Sequence, residues 1–124
     1  MTEAQRTGIL ICHDLMFMSK VSATARHLGL AIQTVGNTAD AIKQVQQCHV
    51  ACLILDLSLQ SLNPQDLFNL LPTDSRPATI AFGSHVDVER LQAARQAGCQ
   101  EVFPRSQFNA QMDAILQRYL GEKV

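Results

Sequence analysis

The chain has 124 residues, a length typical of one domain, and 47% of them are hydrophobic, which is enough to build one core. Its formal net charge is -1 and its basic residues are scattered, which argues against direct binding to nucleic acid. No segment approaches the roughly 20 apolar residues of a membrane span, and the first residues do not form a signal peptide. We therefore expect one soluble, cytoplasmic domain over residues 1–124.

The chain alternates between apolar runs and segments with helical spacing of apolar residues. Strands are predicted at residues 8–12, 31–35, 51–56, 77–82 and 101–103. Helices are predicted at about residues 17–28, 38–48, 64–71, 88–97 and 108–119. Pro104 follows the fifth strand and indicates a strand end or an edge position.

Residues that start and stop helices support these boundaries. Asn37 or Thr38 is expected to cap the second helix, and Asn63 the third, with Pro64 at its first position. Gly29 and Gly98 are expected to end the first and fourth helices in a left-handed conformation. Strict alternation requires right-handed crossovers, so helices must cover both faces of a parallel sheet. We expect an α/β fold, a three-layer (βα)5 doubly wound sandwich with strand order 2-1-3-4-5.

The four cysteines are expected to be buried free thiols, because they lie in or beside predicted strands. They are Cys12, Cys48, Cys52 and Cys99. Cys48, His49 and Cys52 superficially suggest zinc ligands, but a second ligand pair is missing.

Carboxylates stand at the ends of two strands that we expect to be neighbours. Asp14 follows the first strand, and Asp56 ends the apolar third strand. In open parallel sheets the ligand crevice lies beyond the carboxyl ends of the strands, so both side chains are placed where chemistry is possible. Two carboxylates brought together repel each other unless a cation offsets them. This arrangement invites a divalent metal.

Four features along the chain match one known family. They are His13-Asp14 after the first strand, Asp56 on the third, the Ala-x-x-Ala-Gly ending at residues 93–98, and Arg105 after the fifth strand. Over nearly its whole length the chain resembles the receiver domains of two-component response regulators. The resemblance implies that Asp56 accepts a phosphoryl group from a histidine kinase and that Mg²⁺ bridges Asp14 and Asp56. It also implies that a hydroxyl residue after strand four and a basic residue after strand five contact the phosphoryl group.

The chain departs from the family pattern at three of these positions. His13 replaces one of two adjacent acids, so Asp14, Asp56, a carbonyl near Ser58 and water would bind Mg²⁺ only weakly. The hydroxyl position falls on Gly83 or Phe82, with Ser84 one step further along. Arg105-Ser106 replaces a Lys-Pro pair, with Pro104 ahead of it, and Val102 replaces an aromatic residue. These changes predict a degenerate receiver, or pseudo-receiver.

Two interpretations of Asp56 remain open at this point. It is either a phosphoacceptor or a structural carboxylate that caps the following loop or pairs with Arg105. His13 and His85 could join Asp14 and Asp56 in a zinc, iron or manganese site, and the alternative is that both imidazoles are unliganded. A metal- or cofactor-binding protein on a flavodoxin-like fold is therefore the second hypothesis. An enzyme is not expected, since residues 12–17 offer no phosphate cradle and Ser84 lies in no Gly-x-Ser-x-Gly elbow.

Apolar residues beside the expected crevice bear on partners. The segment 15–18 carries Leu, Met, Phe and Met, and we expect these methionines to be buried against the loop after strand three. If Met16 and Met18 were exposed, they would mark an interaction patch. The resemblance implies a second docking or homodimer surface, formed by helix four, strand five and the last helix.

No output domain is expected after the last helix, which ends near Gly121, so any effect must pass through a partner. We therefore expect a stand-alone receiver-like domain in two-component or phosphorelay signal transduction. Its partner would be a histidine kinase or a downstream signalling protein.

Overall fold

The computed structural model describes residues 6–73 and 76–121. Within them lie five strands: β1 (Thr7–Ile11), β2 (Ala31–Val35), β3 (Val50–Asp56), β4 (Ala78–Gly83) and β5 (Glu101–Pro104). The same residues form six helices: α1 (Leu15–His27), α2 (Thr38–Gln47), α3 (Pro64–Leu70), α4 (Val88–Ala97), α5 (Arg105–Ala110) and α6 (Met112–Leu120).

The strands form one parallel sheet in the order β2-β1-β3-β4-β5, as the alternation of elements predicted. In the register of the sheet Leu55 pairs with Ile11 on one side, and Asp56 pairs with Phe82 on the other. The carboxyl ends of β1, β3 and β4 therefore meet at one edge. Pro104 is the last residue of β5, an edge strand, which is a position where proline is tolerated in a sheet.

Each face of the sheet is covered by helices over its own apolar cluster. One cluster joins Leu53 and Leu55 of β3 to Leu67 of α3 and Leu91 of α4. The other lies beneath α1, α5 and α6, and its buried side chains include Val21, Phe108, Met112, Ile115 and Leu116. The result is the predicted three-layer α/β sandwich.

The residues expected to start and stop helices do so. Asn37 Oδ1 accepts from Asp40 N at 2.8 Å, and Asn63 Oδ1 accepts from Asp66 N at 3.2 Å, so each asparagine satisfies a free N–H of the first turn. Gly29 and Gly98 have φ angles of 75° and 121°, which a residue with a Cβ adopts only with strain.

The single helix predicted at residues 108–119 is wrong in one respect. Gln111, with φ -109° and ψ 19°, interrupts it and separates α5 from α6. The apolar spacing could not reveal this break, because Phe108 and Met112 lie one turn apart and pack into the same cluster on either side of it.

The expectation of four buried thiols is correct for Cys12, Cys52 and Cys99 and wrong for Cys48, which is exposed. Cys48 is the C-cap residue of α2 and precedes β3, so it lies outside both the helical face and the strand that bury their neighbours. The thiol donates weakly to Gln44 Oε1 at 3.5 Å.

Candidate functional site

Asp56 ends β3 and is 1% exposed, although its side chain is charged. Burying a carboxylate is costly unless hydrogen bonds and an opposite charge replace its water. Asp56 Oδ1 accepts from Ser58 N at 3.0 Å, from Ser58 Oγ at 2.7 Å and from Arg105 Nη2 at 3.0 Å. Asp56 Oδ2 accepts from Cys12 Sγ at 3.1 Å. Both oxygens of the carboxylate are therefore occupied by partners within the chain.

Ser58 reaches Asp56 because the chain turns directly after β3. An aspartate whose side chain accepts the N–H two residues later forms a local Asx turn, and the Ser58 hydroxyl adds a second donor. The alternative in which Asp56 caps the following loop matches this contact, but the Ser58 hydroxyl was not predicted as a donor, since only a carbonyl near Ser58 was considered. The Asp-x-Ser spacing is the local pattern that could have identified this contact.

Arg105 is the first residue of α5 and lies between the two carboxylates. Its Nη1 is 3.9 Å from Asp14 Oδ2, and its Nη2 is 3.0 Å from Asp56 Oδ1 and 3.2 Å from Ser58 Oγ. The sequence predicted that Asp14 and Asp56 would share one edge of the sheet, and both contact this guanidinium. The cation that offsets them here is a side chain of the protein.

Two aromatic rings hold the guanidinium in place. Arg105 Cζ lies 4.8 Å from the ring centroid of Phe17 and 5.1 Å from that of Phe82. The rings pack together with their centroids 4.9 Å apart. Cation–π contacts add to the attraction of the carboxylates, and the rings restrict the arginine stem. These contacts join α1, β4 and α5, and the sequence analysis did not identify them because no local spacing connects these residues.

Cys12 is the first residue after β1, and its thiol is a donor to the buried carboxylate. Burial raises the pKa of Cys12 to about 12, and the hydrogen bond to Asp56 acts in the same direction. The thiol therefore stays protonated at neutral pH and can donate to Oδ2. Sequence reasoning described Cys12 only as a buried free thiol.

Asp14 has a structural role besides its contact with Arg105. Its Oδ1 accepts from Phe17 N at 3.2 Å, which caps the N-terminus of α1. His13, which stands where the resemblance led us to expect a second acid, is directed to the neighbouring strand end. There its Nε2 donates to the carbonyl oxygen of Gly36 at 2.5 Å.

The positions after β4 do not supply a hydroxyl to Asp56. Gly83 is the last residue of β4, and a Cβ there would lie 3.1 Å from Leu57 Cβ, so a serine or threonine would require a small shift of the loop. Ser84 Oγ accepts from Val86 N at 3.4 Å within its own turn. Ser84 and His85 instead line an open groove of about 570 Å³ together with Phe17 and Arg105.

The alternative metal site of His13, Asp14, Asp56 and His85 is not assembled. His13, Asp14 and Asp56 line a different crevice from the groove that contains His85. Over residues 6–73 and 76–121, no group of three or more His, Cys, Asp and Glu side chains is placed to hold a metal ion. This result also removes the zinc ligands suggested by Cys48, His49 and Cys52.

The surroundings of the Asp56 carboxylate also fit Mg²⁺ poorly. Magnesium demands a near-octahedral shell of oxygens, and Asp56 Oδ1 already accepts three hydrogen bonds. One of those three donors is a cation.

An exposed apolar patch lies beside the crevice at the start of α1. Leu15 is 75% exposed and Met16 is 86% exposed, so the expected burial of Met16 is wrong. Met18 packs partly against the cluster beneath α1 and not against the loop after β3. Because α1 begins at the sheet edge, its first residues project beyond the core. The condition set for an interaction patch, exposure of both methionines, is therefore met by Met16 and not by Met18.

Comparisons with known proteins identify the fold. No protein-family model matches the chain. No curated protein matches its sequence significantly. Among the described residues, no helix is long and apolar enough to cross a membrane.

Many solved structures do match. A response regulator from Hahella chejuensis is 17% identical, with 97% of this chain and 100% of that chain covered and a TM-score of 0.81. The receiver domain of a sensor histidine kinase from Pseudomonas aeruginosa PAO1, which has a magnesium ion coordinated in its active site cleft, is 19% identical. Its TM-score is 0.77, with 96% of this chain and 100% of that chain covered.

A third structure contains a partner. It is the receiver domain of a Saccharomyces cerevisiae response regulator in a co-crystal with a histidine phosphotransfer protein, at 8% identity and a TM-score of 0.74. The alignment covers 97% of this chain and 92% of that chain. The likeness at such low identity is one of architecture, and the same strand order and alternating helices are found here. The chain has the flavodoxin-like fold of response regulator receiver domains.

Proposed function

We propose that this protein is a receiver-like signalling module that acts through contact with a protein partner and does not depend on phosphorylation of Asp56. The observation that carries the proposal is the state of Asp56 itself. Its carboxylate is 1% exposed, and both oxygens are hydrogen-bonded within the chain. A phosphoryl donor would have to displace Arg105 or Cys12 before it could reach an oxygen of Asp56.

The residues that would contact a phosphoryl group on Asp56, or the metal beside it, support the same conclusion. Gly83 offers no hydroxyl, and Ser84 is engaged within its own turn. The neighbouring acid position holds His13, which donates to Gly36. The second metal-binding acid and the hydroxyl of a phosphorylation switch are thus both absent, and the acceptor Asp56, although present, is hydrogen-bonded within the chain.

The exposed start of α1 supports recognition by another protein. Leu15 and Met16 place large apolar side chains in solvent beside the groove that Lys20 and His85 line. An apolar patch rimmed by polar and basic side chains is typical of a protein-binding surface. A receiver domain of the same fold is found in a complex with a histidine phosphotransfer protein. The partner we propose is a histidine kinase, a phosphotransfer protein or a downstream signalling protein.

The test is a backbone amide NMR titration with Mg²⁺ followed by beryllofluoride, which mimics a phosphoryl group on aspartate. We expect beryllofluoride to add no shift at Asp14, Asp56 or Arg105 beyond any that Mg²⁺ alone causes, and mass spectrometry after acetyl phosphate treatment to find no phosphoryl adduct. The Asp56→Asn variant is the control for nonspecific modification. Shifts that beryllofluoride causes at Asp56 and that spread to α4 and β5, or a phosphoryl group found on Asp56 after acetyl phosphate treatment, would show instead that Asp56 is a phosphoacceptor.

The partner can be tested with immobilised protein and lysate of the source cells. We expect the wild type and Asp56→Asn to retain the same protein and a Leu15→Glu, Met16→Glu variant to lose it. Both exposed substitutions should leave the fold intact, which the amide spectrum checks. The proposal would be contradicted if Asp56→Asn failed to retain the partner protein while the Leu15→Glu, Met16→Glu variant still retained it.

A further inference from the structure

The two carboxylates at the sheet edge need a positive charge, and the chain supplies one. Asp56 is buried, and its carboxylate lies 3.0 Å from the Arg105 guanidinium. The carboxylate of Asp14 lies 3.9 Å from the same guanidinium. Two neighbouring carboxylates can be offset either by a bound divalent metal or by a basic side chain. Here the position between the carboxylates is taken by Arg105.

The guanidinium is held by more than the charges it neutralises. Phe17 and Phe82 lie within 4.8 Å and 5.1 Å of Arg105 Cζ, and the Arg105 side chain is only 32% exposed. Pro104 precedes it and fixes the backbone at the start of α5 with φ -58°. A side chain held by two rings and an ordered backbone loses little additional freedom on pairing, so the ion pair is stronger than one between exposed side chains.

The remaining oxygen contacts also favour a site without metal. Ser58 directs two donors at Asp56 Oδ1, and the Cys12 thiol donates to Oδ2. A metal ion binding to this carboxylate would have to displace these donors as well as a like charge. It would also lack the second acid, because His13 stands in its place and is bonded to Gly36.

We propose that Arg105 is a built-in counter-cation that holds the Asp14–Asp56 pair without metal, so that divalent cations bind only by displacing its guanidinium. This inference rests on the proposed function in one respect, the absence of a phosphorylation requirement. It assigns to Arg105 a positioning role, in which the charge and planar fork of the side chain fix the Asp56 carboxylate. Removal of the guanidinium should therefore strengthen Mg²⁺ binding to the Asp14–Asp56 pair.

The experiment is an amide NMR titration with Mg²⁺ alone, on the wild type, Arg105→Ala and Arg105→Gln. We expect both variants to bind Mg²⁺ at least about tenfold more tightly than the wild type, with shifts at Asp14, Asp56 and Ser58. Arg95→Ala removes the same charge from an exposed position on α4 and should leave the affinity at the wild-type value. A dispersed amide spectrum before titration confirms that each variant is folded, and Arg105→Gln retains the polar stem if the alanine variant unfolds.

The outcomes separate this inference from the proposed function. Equal Mg²⁺ affinity in the wild type and both folded variants, whether tight or absent, would overturn the role of Arg105. Unfolding of both variants leaves the wild type to decide. In that protein, loss of the Arg105–Asp56 contact on Mg²⁺ addition, observed in guanidinium ¹⁵N spectra, supports displacement, whereas metal binding with the contact intact refutes it. Phosphorylation of Asp56 would overturn the proposed function even if Arg105 and Mg²⁺ compete as expected.

Discussion

Asp56 is a carboxylate that folding removes from water. The free energy cost of burying it depends on the hydrogen-bond donors and the charge that replace the water. Arg105 supplies a charge-assisted bond, while Ser58 and Cys12 supply neutral donors. The hydrogen bond from Arg105 contributes more to stability than those from neutral donors. A buried carboxylate that loses its cationic partner is destabilising. The pair is therefore worth measuring by its coupling energy.

We expect Arg105→Ala to lower the free energy of unfolding by about 1–3 kcal/mol, because it leaves the Asp56 charge without a cation. In a double-mutant cycle with Asp56→Asn, the two losses should couple by about 1–2 kcal/mol, with the double variant less destabilised than the sum. Urea unfolding of the four proteins at neutral pH measures this. Additive losses within about 0.5 kcal/mol would mean that the contact contributes little.

Tyr119 on α6 offers a second measurement at a single residue, because the chain contains 1 tyrosine. Its hydroxyl donates to Glu101 Oε1 of β5, which also accepts from Arg118 Nη1 at 2.6 Å. Burial raises the pKa of Tyr119 from 10.0 to about 12, and the hydrogen bond to Glu101 adds to the rise. The same hydrogen bond is the main cause of the lowered pKa of Glu101.

The sign of the pH dependence follows from these directions. A phenol whose pKa is raised by folding contributes stability that is complete below pH 10.0 and is lost as the pH rises to about 12. Phenolate absorbance of the folded protein should therefore have its midpoint near pH 12, and Glu101→Gln should lower it. In Tyr119→Phe, unfolding should depend less on pH over this range, although the buried thiols still contribute. A midpoint near pH 10.0 in the folded wild type would contradict the assignment.

At the scale of elements, Arg90 ties helix α4 to the loop that follows Asp56. Its Nε donates to the carbonyl of Leu57 at 2.7 Å, and its Nη2 donates to those of Leu59 and Leu62 at 3.2 Å and 2.9 Å. The loop has turn hydrogen bonds of its own, from Leu59 N to Asp56 O and from Leu62 N to Leu59 O, each at 3.1 Å. A cation bonded to three of its carbonyls fixes its course further. The loop carries Ser58, and α4 is thus connected to the site through Arg90.

We expect Arg90→Ala to cost about 1–3 kcal/mol of unfolding free energy and to speed amide hydrogen exchange in residues 57–62. Arg95→Ala on the same helix is the matched control, because Arg95 is exposed. Exchange in the loop that is unchanged by Arg90→Ala would show that the loop is ordered by its own packing.

The elements also show what the sequence could predict and what it could not. The caps at Asn37 and Asn63, the positive φ of Gly29 and the strand order follow from local chemistry and alternation, so they were predictable. The aspartates at the sheet edge followed from where strands end. Pairing of Asp56 with Arg105 was one of the alternatives predicted for Asp56, but the place of the guanidinium between both carboxylates depends on rings from α1 and β4, which no local pattern connects. The break at Gln111 and the exposure of Cys48 were equally beyond a pattern of apolar spacing.

The whole molecule has two apolar layers that share a single sheet. Leu53 of β3 faces one cluster, and its neighbours Cys52 and Ile54 face the other. Because successive residues of a strand point to opposite faces, neither layer can lose its packing without exposing strands that support the other. Folding of the two layers should therefore be coupled.

This coupling predicts one cooperative unfolding transition. Phe108→Ala, on the α5 side, should cost about 3–5 kcal/mol, and Leu67→Ala, on the α3 side, about 2–5 kcal/mol, since both side chains are 0% exposed. Tyr119 fluorescence reports one face, and far-UV circular dichroism reports both. Their urea midpoints should coincide in the wild type and move together in each variant, whereas Cys48→Ser at an exposed site should leave both unchanged. Separate midpoints in Leu67→Ala would mean that the α3 side unfolds while the face carrying Tyr119 stays folded, and the sheet would then not couple the two layers.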